Sequence, residues 1–294
     1  MIIKQHIRSL ITFLSISLSA LPAFSQTNTE VFLGDLSISE SGISVTNLEN
    51  ITNNPGYDNQ PSFLVDGGAI LLASTRENQT DVALYDIENK KLNYLNSTPS
   101  FSEYSPVQTP NKIYISFIIL GEDGTQQFWQ ITPSKRDPEI LESEDVIGYY
   151  AWYDQNSYLC FVLATEDSPS TLQFHNHSTG EKKILGENPG RSIHKIPGTN
   201  ALSFIDKNES PWMIKSYTPE NGEIKEITNT LEEVEDMAWT PDGAIIMGKG
   251  NTLNVWTEDN NWSDPVQIFD SEGTISRLAV SPDGTQIAIV FEEN

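Results

Sequence analysis

Few residues in this chain have the type and spacing for chemistry. His175 and His177, in "HNH", are its only close histidine pair. Two residues apart on a strand they point the same way and could hold a metal ion, but no third ligand lies nearby in sequence. Cys160, the only cysteine, sits in the apolar run "SYLCFVLA" and reads as a small buried hydrophobe, not a nucleophile. His194 falls inside a strand pattern and reads as packed. There is no G-x-S-x-G elbow, and no length for a hydrolase domain after the strands, which excludes an enzyme of the prolyl-oligopeptidase type. A sialidase Asp-box needs a Trp that "SPDGTQIAI" lacks. What remains is carboxylate. Asp and Glu number 41 against 17 Lys and Arg, a net charge of −24, which argues against nucleic acid as partner.

These groups are positioned by strands. "AILLAST", "KIYISFIIL", "YLCFVLA" and "QIAIVF" are short, rich in β-branched and aromatic residues, and bounded by Gly, Pro, Asn and Asp. No segment carries a long helical period. Aligning "AWTPDGAIIM" with "AVSPDGTQIAIV" puts Pro241 and Pro282 in one turn slot, with Val65, Pro110, Asp154 and Pro197 as the others. Successive slots are 45, 44, 43, 44 and 41 residues apart. A third and a fourth strand follow each hairpin, as in "DVALYDI" and "KLNYLNST". Four strands per 40–50 residues is the mark of a propeller blade. The sixth copy stops after two strands. "EVFLGDL" near the N-terminus overlays "DVALYDI", placing Asp35 against Asp86, and "ISVTNLENIT" overlays "KLNYLNST". The expectation is an all-β, six-bladed propeller of four-stranded antiparallel blades. Its last blade is closed two-plus-two by the N- and C-terminal strands.

In a propeller, the loops entering the innermost strands share one face with the loops joining second and third strands. That face collects most of the acids: "REN" (76–78), "GEDG" (121–124), "ESED" (142–145), "TED" (165–167), "LEEVED" (231–236) and "DSEG" (270–273). Lys90, Lys91, Lys112, Lys135, Arg136, Lys182 and Lys183 fall on the other face. A ring of carboxylates would focus potential at the channel mouth and favour cations or a basic partner. Calcium takes six to eight oxygens, but no EF-hand or nonapeptide spacing occurs, so no cofactor is expected and calcium is the one ion the loops could suit. Residues just ahead of the innermost strands should line the mouth: Asp58, Asn59, Gln60, Glu103, Tyr104, Tyr149, Arg191, Ser192, Glu235, Asp236, Ser276 and Arg277. Tyr104 and Tyr149 could stack on a ligand or pack between blades. Arg191 and Arg277 could clamp a carboxylate or bridge to nearby acids. Trp152 and Trp239 share one repeat position and should fill inter-blade core.

Residues 1–25 read as a secretory signal. Lys4 and Arg8 precede the apolar "SLITFLSISLSAL", and "AFSQ" supplies small residues before Gln26. The apolar run is short for the ~30 Å of a bilayer core. Residues 26–294 are then one exported domain, periplasmic or secreted, without disulfides and with no later segment apolar enough to cross a membrane.

"AWTPDG", "AVSPDGTQIA", "QPSFLVDGG" and "DVALYDIENKKLNYL" resemble the WD-like repeats of TolB-type six-bladed propellers, over essentially all of residues 30–294. The α/β domain that precedes the propeller in TolB has no counterpart here. The resemblance implies a rigid periplasmic platform for protein or peptide partners, binding at the channel mouth, and no reaction. The reading is a monomeric, non-catalytic binding platform. Its alternative is a metal-dependent lactonase or hydrolase that sets Asn59, Glu103, Glu235 and Asp236 around one ion in the channel.

Overall fold

The computed structural model describes residues 28–39, 42–77, 79–95, 98–132 and 138–293. The leader, with Lys135 and Arg136, lies outside them. The strands are β1 (Glu30–Ser39) and β2 (Gly42–Asn50), then β3 (Asp58–Phe63), β4 (Ala69–Arg76), β5 (Gln79–Asp86) and β6 (Lys91–Tyr94). Next come β7 (Phe101–Gln108), β8 (Ile115–Gly121), β9 (Gln126–Ile131) and β10 (Glu139–Glu142), followed by β11 (Ile147–Trp152), β12 (Ser157–Val162), β13 (Thr171–Asn176) and β14 (Glu181–Glu187). The fourth blade is β15 (His194–Lys195), β16 (Leu202–Asp206), β17 (Met213–Thr218) and β18 (Glu223–Asn229). The rest are β19 (Met237–Trp239), β20 (Ile245–Lys249), β21 (Thr252–Thr257), β22 (Asn261–Trp262), β23 (Val266–Gln267), β24 (Gly273–Val280) and β25 (Gln286–Glu293). They form six antiparallel sheets around a channel, with the lowest-numbered strand innermost in blades one to five. No helix of the described residues is long and apolar enough to cross a membrane.

The last sheet runs β2-β1-β25-β24, so the termini close the ring two-plus-two. The overlay holds to the residue. Asp86 faces Ala69 and Asp35 faces Gln286, each four residues beyond its turn slot. Thr29 extends the latch into blade one. It bridges Tyr57 in parallel, donates its amide to Gly56 O at 3.0 Å and accepts Asp58 N at 3.0 Å.

All six hairpins stand at the slots read from sequence, closed for instance by Leu64 N to Ala69 O and Ser281 N to Gln286 O, both 2.9 Å. Gly67, Gly243 and Gly284 take positive φ there (78°, 91° and 75°); Lys112 holds the same slot at 63°, strained for a side chain. The core is six apolar clusters, one per blade interface. Alternate residues of a strand serve opposite interfaces: Leu71 faces blade two, while Ile70 and Leu72 face blade six. Second strands are therefore apolar on both faces, and β4 is buried from Ala69 to Ser74. Trp152 and Trp239 fill equivalent places, each donating Nε1 to a serine on the preceding blade, Ser116 at 2.9 Å and Ser203 at 2.8 Å. Cys160 is fully buried and burial pushes its thiol well up, as an inert cysteine requires.

Candidate functional site: the channel ring

Four of the six innermost strands are bulged where they enter the channel. Register shifts fall between Asn59 and Ser62, Tyr104 and Val107, Ile147 and Tyr149, and Ile275 and Arg277. A bulge re-aims one side chain and frees one backbone N–H from the ladder. In blades one and two the bulge takes in the residue five before the turn slot; in blades three and six it falls at Gly148 and Ser276, immediately ahead of the residue five before the slot. Gln60, Ser105, Tyr149, Ser192, Asp236 and Arg277 occupy that position in the six blades, and all line the channel, a cavity of about 730 Å³. Gln60 and Ser105 take left-handed φ of 56° and 52° to do so.

The ring knits neighbouring blades together. Gln60 Oε1 accepts Ser105 N at 2.7 Å, Ser192 Oγ accepts Met237 N at 3.1 Å, and Asp236 Oδ1 accepts Leu278 N at 3.2 Å. Each bond satisfies an amide near a strand entrance. Ser192 Oγ also lies 2.8 Å from His194 Nε2. Burial lowers the His194 pKa, so the ring is neutral and packed. Beyond the ring, toward the hairpin face, the channel is walled by Phe63, Val107, Trp239, Pro110, Pro241 and Pro282.

The structure divides the residues expected at the mouth. Gln60, Tyr149, Arg191, Ser192, Asp236 and Arg277 line the channel, whereas Asp58, Asn59, Glu103, Tyr104 and Glu235 do not. Asp58, Asn59, Glu103 and Tyr104 alternate between the two faces of their blades, and Glu235 sits in the loop ahead of β19. Glu103 is fully buried, accepting Val82 N at 2.9 Å and Thr98 Oγ1 at 3.0 Å. Glu235 Oε1 accepts Arg191 N at 3.1 Å and pairs with Lys207 Nζ at 3.0 Å. Asn59 Oδ1 accepts Gln60 N at 2.8 Å. A carboxylate ring on the axis is thus replaced by acids spent on inter-blade bonds. The exposed ones, among them Glu77, Glu122, Asp123, Glu166 and Asp167, sit farther out, between second and third strands.

Asp58 is the unusual member of this group. It is fully buried, Oδ1 has no partner, and burial pushes its carboxyl up to about 6. A carboxyl with a raised folded pKa binds its proton more tightly in the native state, so stability falls as pH rises from the unfolded value through about 6. Asp58→Asn should flatten that slope and stabilise the protein at pH 7 by up to about 3 kcal/mol. Urea midpoints between pH 4 and 7.5 check this; an unchanged slope in the variant would show Asp58 is not its source.

Charge sorting by face fails at one place. Lys182, on the opposite face by sequence, lies 2.7 Å from both Glu142 and Asp145. Blade twist carries outer strands away from a two-face scheme. His175 is brought to the same cluster, with Glu142 and Asp145 oxygens at 3.8 Å, and these three are the one group of metal-ligating side chains within 4.8 Å among the described residues. The Lys182 ammonium already holds the cation position. His177 does not join them; it bonds Gln155 O at 3.2 Å and lies edge-on to Trp152.

Tyr57 was not evident in the sequence. It packs edge-on to Tyr104 at 6.1 Å, and burial pushes its hydroxyl up to about 12 against the pull of Arg277. The aromatic in "PGYDNQ" was its only signal, one residue outside the strand pattern.

No family model and no curated protein matches the chain. Solved structures do. The protein solved as a TolB of Agrobacterium tumefaciens superposes with a TM-score of 0.69 at 13% identity, covering 92% of this chain and 99% of that one. TolB of Acinetobacter baumannii gives 0.59 at 13% identity over 91% of this chain, which spans 64% of that one's length. An oligogalacturonate lyase in complex with manganese gives 0.55 at 12% identity, over 92% and 99%. At such identities the likeness is one of fold: the chain is a six-bladed β-propeller, the fold it shares with these TolB structures.

Proposed function

We propose that this chain is an exported propeller that holds a protein or peptide partner at its channel mouth and catalyses nothing. One observation carries the reading: one side chain from each of six blades, at one repeat position, lines a partly apolar-walled channel. They offer fixed hydrogen-bonding and charged groups on rigid strands, as a recognition surface requires. Ser192, the one hydroxyl there beside a histidine, already accepts a backbone amide. Exposed acids in the outer loops favour a partner with basic groups, whose binding weakens as salt rises. A monomer suffices. Calcium would act on the outer acids alone, stabilising no more than sodium at equal ionic strength.

The metal-dependent alternative asks Asn59, Glu103, Glu235 and Asp236 to share one ion. Glu103 is bonded to blade one, and Glu235 and Asp236 to the amides and cations of other blades. The likeness to the lyase is one of fold and does not favour this reading.

Photo-crosslinking tests the platform. A photoreactive amino acid at Gln60 or Ser105 should give a discrete adduct in a periplasmic extract, and one at exposed Ile224 on β18 should not. Equal yields at all three, with metal-dependent turnover of a lactone or ester panel, would sink the reading.

A further inference from the structure

The channel is lined by two guanidinium groups, that of Arg277 in the ring and that of Arg191 beside it, and by a single acid, Asp236. Arg277 Nη1 and Arg191 Nε lie 3.2 Å and 3.5 Å from the same Asp236 Oδ2. The other oxygen of Asp236 is taken by Leu278 N, and Glu235 is matched by Lys207. These five side chains therefore leave one positive charge uncompensated, at the axis of a protein whose net charge is −24. Arg191 Nη2 donates to Ser276 O at 2.8 Å, but Arg191 Nε and Ser276 Oγ have no hydrogen-bond partner although both atoms are buried. The Tyr149 ring lies 4.9 Å from the Arg277 guanidinium and holds its orientation. Tyr57 keeps its proton at neutral pH and stands close enough to Arg277 to feel its charge.

We propose that Arg191 and Arg277 form a seat for one carboxylate, the C-terminus of a peptide that enters by the channel mouth. This rests on the platform reading above. A planar guanidinium matches a carboxylate in shape, and a surplus of one charge matches a monoanion. The cavity of about 730 Å³ continues past the seat between Phe63, Val107, Trp239 and the prolines, which offers the terminal side chain an apolar place. Residues before it remain outside, facing Glu77, Glu122, Asp123, Glu166 and Asp167, so basic side chains are favoured there. The chain thus discriminates twice: a negative terminus at the centre and positive side chains around it.

The probe is a pair of randomised hexapeptide pools, identical except that one ends in a free carboxylate and the other in a carboxamide. Retained peptides are identified by mass spectrometry. The acid pool should be enriched about tenfold over the amide pool, with Lys and Arg over-represented two to four residues before the end. The double variant Arg191→Lys, Arg277→Lys keeps the charge and loses the fork, and should lose most of the enrichment. Asp236→Asn removes the competing acid and should raise retention of acid peptides, which a purely structural role for Asp236 would not do. Each variant is first matched to the wild type by melting curve; if Asp236→Asn does not fold, Arg191→Met alone, whose side chain is the more exposed, reports the loss. Equal retention of both pools would overturn the seat and leave the platform standing. Retention of neither pool would also overturn the seat, while crosslinking at Gln60 independently decides the platform.

Discussion

A chain beginning at Asn54 should not unfold cooperatively. It lacks β1 and β2, and with them Val31, Leu33, Leu36, Ile43 and Ile51, all buried at the interfaces of the closing blade. A buried aliphatic side chain is worth roughly 1.5–3 kcal/mol, so the five together represent about 10 kcal/mol. A domain's whole stability is about 5–15 kcal/mol. The loss also strips β25 of six paired residues, from Gln286 to Phe291, and opens an apolar strand edge. Far-UV circular dichroism through a thermal ramp should show a broad transition or aggregation. A peptide of residues 28–53 added in trans should restore a sharp one. If the shortened chain melts like the whole one, the latch contributes nothing and the closure has been misjudged.

The second large effect is expected at Trp152. Its side chain is 6% exposed and packs with Phe128, Tyr150 and Tyr158 at ring distances of 5.8, 6.5 and 5.4 Å. Trp152→Ala should cost about 3–5 kcal/mol, because the strands around the cavity cannot collapse into it. Trp152→Phe keeps the ring and abandons the bond to Ser116, whose hydroxyl retains Val107 O and Tyr150, so about 1 kcal/mol is expected. Trp239→Ala should cost less, since Trp239 is only half-buried. Urea denaturation of the three variants ranks them. A Trp239→Ala loss equal to that of Trp152→Ala would mean that repeat position, not burial, sets the energy.

The blade count and the closure could be read from sequence because hairpins advertise themselves. Pro-Asp-Gly and its variants recur with a nearly constant spacing, and a tight turn accepts few residue types. The bulges do not advertise themselves. Gln60, Tyr149, Ser192, Asp236 and Arg277 are legible as mouth residues from the repeat, but with Ser105 they share no chemical type, so the sequence does not separate this one position from its neighbours. Ser105 carries no sequence signal for that reason. The acids misled in the other direction. Asp58 and Glu103 lie near the mouth as the pattern requires, yet one strand position decides whether a carboxylate meets solvent or a neighbouring blade. Regularity of sequence also overstated regularity of structure. The fifth copy has a clear turn, but its fourth strand is split into β22 and β23 around Pro265, which has no N–H to give to the ladder.

The latch also fixes an order of events. Glu30 pairs with Phe291, so one edge of the first strand, whose other edge is taken by β2, has no partner until the last strand exists. At roughly 5–20 residues per second of synthesis, that interval is on the order of ten to fifty seconds. During it the β1–β2 hairpin keeps one open strand edge, tethered to a growing array of blades, each able to pair within itself. The contacts that seal the ring are the most distant in sequence, and they form last. Escort by a holdase, or passage across a membrane in an unfolded state, would keep that edge from pairing with another chain before its own C-terminus arrives.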